Sequence, residues 1–489
     1  MPYGLKDIEL AKLNEVFAAN ERIERVVLYG SRAKGNYKPF SDVDITLEGD
    51  ELTHTDLSRL SLAIDDLLLP YQFDISIFHT LKNEALIDHI RRMGITIYEK
   101  KSEWKEYKLG EIADVIGGGT PNTSNPNYWE GGIPWLTPKD LTGYSRIYIS
   151  KGERNITKEG LDNSSTKLLP KGTVLMSSRA PIGYVAIASN QICTNQGFKS
   201  LICNPLIADN LFMYYWVKNN VEYLQSLGTG TTFAEISGSV VKSIDILLPP
   251  LPTQRRIAAI LSSLDDKIDL LHRENATLEQ MAEMLFRQWF VEEAKEEWKE
   301  GKLGDILTVK GGTTPSTKEP SFWDGDIAWT SPRDVTTLNG LYLFKTEKKI
   351  TQKGLEQISS GLLPSGTLLM SSRAPVGVLA FAEIPLAINQ GYIAILDDKG
   401  YSKEFIYLWL KLNMDLVHSY SNGSTFMEIS KSAFKSLDIV IPSKNEVESF
   451  VQEVKPYFEK IRTNEIQIRT LTKTRDGLLP KLMSNEINI

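Results

Sequence analysis

The chain has 489 residues, more than a single hydrophobic core accommodates, so it divides into several domains. Its 42% hydrophobic and 24% charged residues are spread along the whole length, which excludes a long disordered tail, and no apolar run is long enough to span a bilayer. Net charge is −7, with 12 Lys and Arg against 17 Asp and Glu in residues 1–100 and a near-neutral remainder; this excludes an overall basic surface but not a local basic groove.

The opening MPYGLKDIELAKLNEVF carries acids where a secretory signal needs an apolar core, so the expected compartment is cytoplasmic, with no membrane partner. Two cysteines, Cys193 and Cys203, and five scattered histidines match neither a disulfide framework nor a zinc cluster. Residues 1–101 alternate helix and strand: a helix over about 5–20, strands over 26–29 and 43–47, a helix over 56–68, a strand over 73–77 and a helix over 81–93. Within them, YGSRAKGNYKPFSDVDITLEG joins a Gly-Ser turn to Asp42 and Asp44. Carboxylates at i and i+2 of a strand face one side, and Asp74 in FDISIF closes the set from the next strand. Few carboxylates completed by substrate phosphates suit Mg²⁺.

G-S-x-A-x-G, then S-D-x-D-I, then Asp74 resembles the minimal nucleotidyltransferase domain of the polymerase-beta-like superfamily, as in antitoxins that adenylylate a toxin. The resemblance implies catalytic and metal roles for Asp42, Asp44 and Asp74 and triphosphate contacts by Gly30 and Ser31. Mg²⁺ and a nucleoside triphosphate would be its cofactors, and a hydroxyl, including that of a toxin-like protein, its acceptor. The alternative is a degenerate, purely structural module.

From residue 104 onward the chain is a duplication. WKEYKLGEIADVIGGGTP (104–121) returns as WKEGKLGDILTVKGGTTP (298–315), an offset of 194 residues. The register holds through Trp129 and Trp323, Trp135 and Trp329, and the NQG turns at 195–197 and 389–391. PKGTVLMSSRAPIGY and PSGTLLMSSRAPVGV agree at 11 of 15 positions. Each copy closes with an apolar strand ended by proline, IDILLPPLP and LDIVIPS, and then a helical heptad pattern. The first seam reads Ile257, Leu261, Leu264, Ile268, Leu271, Asn275, Leu278, Ala282, Leu285, Trp289. The second reads Phe450, Val454, Tyr457, Ile461, Asn464, Ile468, Leu471, Arg475, Leu478, Leu482. One Asn in each seam predicts that the two helices pair within the chain; the alternative is that each covers only its own domain. Pro456 should kink the second helix and Pro480 end it early.

The two halves, with LPPLPTQRRIAAILSSLDDKIDLLHRENATLEQMAEMLFRQWF between them and TRDGLLPKLMSNEI at the end, resemble the specificity subunit of type I restriction-modification systems. The fold class follows as α+β multidomain: a nucleotidyltransferase module (1–101), two mixed α/β target-recognition domains (102–252 and 296–443), and two long helices (253–295 and 444–489) forming an antiparallel coiled coil. The resemblance implies a non-catalytic reader of a bipartite, asymmetric double-stranded DNA site. A methyltransferase subunit would supply S-adenosylmethionine chemistry and a restriction/translocase subunit ATP-driven cleavage. The competing reading is a nucleotidyltransferase that the repeated region merely targets to DNA.

Positions identical in both halves cannot distinguish two half-sites. Arg179 and Arg373 are therefore candidates for phosphate or common-base contacts and Asn195 and Asn389 for adenine edges, while Lys139 and Arg333, alike in charge, are candidate phosphate ligands. For Arg179 and Arg373 the alternative is pairing with a core-edge acid, and for the Asn residues a turn that satisfies its own backbone. The diverging loops 142–155 and 336–349, with Tyr144 and Arg146 against Leu338 and Gly340, are candidates for base readout. Thr231, Thr232, Ser424 and Thr425 suit sugar-phosphate contacts.

Overall fold

A computed structural model describes residues 2–38, 40–100, 104–230, 234–373, 375–397, 399–422 and 427–487. They form two compact units, Met1–Tyr107 with Asp245–Thr253, and Lys108–Ile244 with Gln254–Ile489. Among the described residues no helix is long and apolar enough to cross a membrane.

In the first unit, strands β1 (Arg25–Leu28), β2 (Val43–Glu48), β3 (Phe73–Ile77) and β4 (Ile95–Glu99) form one sheet in the order β3-β2-β1-β4. β2 and β3 run parallel, while β1 is antiparallel to both of its neighbours. Helices Asp7–Ala18 and His54–Asp65 bury Leu13, Phe17, Leu60 and Ile64 in one cluster with Val26, Leu28, Val43 and Ile45 of the sheet. Removing such a side chain fully from water stabilises by about 1.5–3 kcal/mol. The sequence reading finds these elements but passes over β4, which follows helix Glu84–Met93 after Gly94 alone.

In the second unit the duplication becomes two matching pairs of sheets. The first repeat orders Ala113–Gly117, Phe198–Cys203, Val174–Ser178, Ile182–Ala188 and Tyr148–Ile149 in a five-stranded sheet. The second repeat orders Thr308–Lys310, Tyr392–Leu396, Leu368–Ser371, Leu379–Ala382 and Tyr342–Leu343 in the same way. Beside each lies a three-stranded sheet centred on Trp129–Leu136 or Trp323–Thr330. The repeated tryptophans form equivalent edge-to-face pairs, with centroids 5.1 Å apart in both Trp129–Trp135 and Trp323–Trp329.

The central helix spans Leu251–Arg287 and continues into a π-helical turn, Gln288–Glu292; the C-terminal helix spans Lys444–Met483. Every residue of both predicted seams is buried or half-buried. Asn464 Nδ2 donates to Asn275 Oδ1 at 2.8 Å, so the two seam asparagines meet. Asp265 pairs with Arg475, and Phe286 packs on Phe450 at 5.7 Å. Residue numbers therefore rise along one helix as they fall along the other, and the helices are antiparallel partners. Helix continues on both sides of Pro456, and against expectation it runs three residues beyond Pro480. Burial of Phe450, Val454, Phe458 and Ile461 in the core of the second repeat offsets the hydrogen bond that Pro456 cannot make.

Candidate functional site

The carboxylate site is built on the parallel pair β2–β3, where Asp44 lies in register with Asp74. Asp42 sits one residue before the strand begins, so its placement depends on the preceding loop rather than on the sheet. Gly30 opens the short helix Gly30–Ala33 with φ +72°, and a Cβ there would come within 2.1 Å of Asp44 Oδ2. Only glycine allows that approach. Burial raises the Asp44 pKa, as do the neighbouring Asp74 and Asp42 charges, while Arg32 opposes them. Tyr29, whose N–H donates to Asp44 O at 2.9 Å, has its phenol raised mainly by burial. Among the described residues no group of three or more His, Cys, Asp or Glu side chains is already gathered to hold a metal ion. The donor chemistry nevertheless fits one: hard oxygens whose mutual repulsion a divalent cation would offset. Arg32, buried beneath this loop, is a residue that sequence reasoning missed although it lies inside the GSRAKG motif.

The second unit sorts its candidates differently. Arg179 Nη1 lies 3.4 Å from Glu235 Oε2, and Lys199 reaches the other oxygen of the same carboxylate at 3.1 Å, so Arg179 meets a core-edge acid. Arg373 makes the equivalent backbone bridge to Glu428. Asn195 Oδ1 accepts from Gly197 N–H and Asn389 Oδ1 from Gly391 N–H, each at 2.8 Å; both turns satisfy their own backbone. Lys139 and Arg333 are exposed at equivalent positions, facing Glu153 at 3.1 Å and Glu347 at 3.9 Å. Thr231, Thr232, Ser424 and Thr425 lie outside the described residues.

The diverging loops are docked on the helices by unrelated chemistry. In the first repeat Tyr144 donates to Tyr148 O at 2.5 Å, and Arg146 pairs with Asp269 of the central helix at 2.7 Å. In the second, the counterpart of Arg146 is Gly340. The following N–H groups, of Leu341 and Tyr342, donate to Glu465 of the C-terminal helix at 2.6 and 3.0 Å. Arg146 is thus an anchor as well as a loop residue. Asp269 and Glu465 carry no sequence signal, because their partners lie more than a hundred residues away.

Residues 101–280 and 295–473 match the type I restriction modification DNA specificity domain, and residues 11–103 match the polymerase beta nucleotidyltransferase domain. The type I restriction enzyme MjaIX specificity subunit of Methanocaldococcus jannaschii is 34% identical, over 79% of this chain and 94% of the relative. The HindI specificity subunit of Haemophilus influenzae is 24% identical, over 79% of this chain and 100% of the relative. The crystal structure of a type I restriction-modification S subunit from M. genitalium shares the fold with TM-score 0.50 at 21% identity, covering 78% of this chain and 97% of that one.

Proposed function

Because the chain belongs to the type I restriction-modification DNA specificity family, we propose that its two repeats each read one half of a split, asymmetric duplex site and direct adenine methylation and restriction by partner subunits. The observation that carries the reading is the pairing of two equivalent α/β repeats through antiparallel helices joined at Asn275 and Asn464. At about 1.5 Å per residue, the 37 residues of Leu251–Arg287 span about 55 Å. That is long enough to separate half-sites about one turn of duplex, about 34 Å, apart. In this reading the five segments 1–101, 102–252, 253–295, 296–443 and 444–489 are the working parts. Exposed Lys139 and Arg333 contact phosphates and the loops 142–155 and 336–349 contact base edges. A methyltransferase subunit brings S-adenosylmethionine, and a translocase subunit uses ATP. Co-expression with the cognate methyltransferase and genome-wide mapping of methyladenine should return a motif in two parts with a fixed spacer. An active partner that leaves no such motif would contradict the reading.

The first unit supports an accessory activity, nucleotidyl transfer to a hydroxyl, and the in-register Asp44 and Asp74 beside the Gly30 approach carry it. Asp42, Asp44 and Asp74 would hold Mg²⁺, which when bound supplies Lewis-acid stabilisation of charge on the transferring phosphoryl group. Gly30 and Ser31, at the start of the helix after β1, would meet the triphosphate, and a toxin-like protein is one candidate acceptor. Incubation with labelled nucleotides and candidate acceptors should give transfer by the intact chain and none by Asp42→Ala plus Asp44→Ala. Equal labelling by both would remove the catalytic role.

A further inference from the structure

Arg32 is a charged side chain 1% exposed, and its hydrogen bonds among the described residues run to main-chain carbonyls. Nε donates to Asp42 O at 3.1 Å and to Ser41 O at 3.2 Å, Nη2 to Ser41 O at 2.8 Å, and Nη1 to Tyr3 O at 3.0 Å. Its guanidinium carbon lies 5.3 Å from the Tyr37 ring centroid and 4.8 Å from that of Tyr71. Tyr71 extends the brace, donating to Glu9 Oε2 at 3.0 Å and to Gly4 O at 3.3 Å. A buried cation is costly unless paired or fully hydrogen-bonded, and here neutral carbonyls do that work. The forked donor geometry lets one side chain grip both carbonyls ahead of β2, at the one aspartate of the three that no strand holds.

We propose that Arg32 is a positioning residue of the nucleotidyl-transfer site, fixing the Ser41–Asp42 backbone so that the Asp42 carboxylate joins Asp44 and Asp74 in binding a divalent cation. The proposal rests on the nucleotidyltransferase reading of the first unit. Its substance is that the motif supplies two separate functions: Gly30 and Ser31 leave room for the nucleotide, while the next residue turns inward and sets the metal ligand. A residue that merely stabilises the fold would alter unfolding and leave the cation affinity of the folded protein unchanged. A residue that orients a ligand's support alters that affinity, commonly by about 10- to 100-fold.

The test uses the full chain with Mn²⁺ and a non-hydrolysable nucleoside triphosphate, following bound Mn²⁺ by electron paramagnetic resonance. Asp42→Ala plus Asp44→Ala sets the background, and circular dichroism checks folding. Arg32→Gln and Arg32→Lys should each bind Mn²⁺ at least about tenfold more weakly than wild type, with binding recovered at excess Mn²⁺. Lysine keeps the buried charge but not the fork, so its loss should be the smaller. Wild-type affinity in either folded variant overturns the proposal, whatever happens to its thermal midpoint. If Arg32→Gln does not fold, Arg32→Lys decides by the same criterion. If wild type binds no more Mn²⁺ than the aspartate variant, the nucleotidyltransferase reading itself falls and takes this proposal with it.

Discussion

Glu465 is 6% exposed, and burial pushes its carboxyl up to about 7 even though two backbone N–H groups pull the other way. The folded protein therefore holds this proton at pH values where the unfolded chain, near 4.5, has released it. Stability should fall as pH rises from about 4.5 to about 7 and change no further with this group above that. The full effect is on the order of 3 kcal/mol. Urea unfolding at pH 5 and pH 8 should show the difference in wild type and a reduced one in Glu465→Gln, an isostere of the protonated acid; an unchanged difference would assign the effect elsewhere. At this scale the sequence is legible where chemistry is local. Gly30, Asp42 and Asp44 announce themselves within fifteen residues of chain. Glu465 does not, because nothing about a glutamate on a helix reveals that two amides from residues 341 and 342 will close over it.

The paired helices show which parts of an element a heptad pattern conveys. Spacing predicts the seam and its length, and one Asn in each seam predicts that the helices pair; that Asn275 meets Asn464 across the seam is set by the register the structure shows. The polar cross-link near the other end is hidden by the same periodicity. Arg475 occupies a seam position and reaches Asp265, which also accepts from Tyr215 at 2.7 Å. Arg475 and Asp265 side chains are 14% and 5% exposed. Asp265→Ala would leave the Tyr215 phenol without its acceptor and the Arg475 guanidinium with only the exposed Asp476, at 2.7 Å, and should destabilise the second unit by at most about 3–5 kcal/mol. A double-mutant cycle with Arg475→Met checks this: the double variant should recover much of the loss, since replacing both charges removes the uncompensated one. Helix continues through Pro456 because a local cost of about 3 kcal/mol is outweighed by the apolar face around Phe450 and Phe458, and beyond Pro480 it is flanked by buried Leu479 and Leu482.

For the whole molecule, duplication is the most legible signal, because two copies of one sheet order need only one explanation. What the copies do differently is less legible, since it lies in how each loop meets a helix. If the helices set the separation of the two readers, inserting one heptad in each should lengthen the spacer of the methylated motif. The change should be at most about three base pairs, from about 10 Å of added helix and about 3.4 Å per base pair. A motif with unchanged spacer would show that separation is set elsewhere.

The ion pair between Arg146 and Asp269 carries a lesson about inheritance. A gene exchange that replaces only the first repeat, with its crossover at residue 252, and takes it from a donor without that arginine would leave Asp269 with Arg273 alone, at 3.0 Å, and the imported loop without its anchor. Productive shuffling between relatives should therefore place its breakpoint beyond residue 269, so that the loop travels with the stretch of helix that receives it.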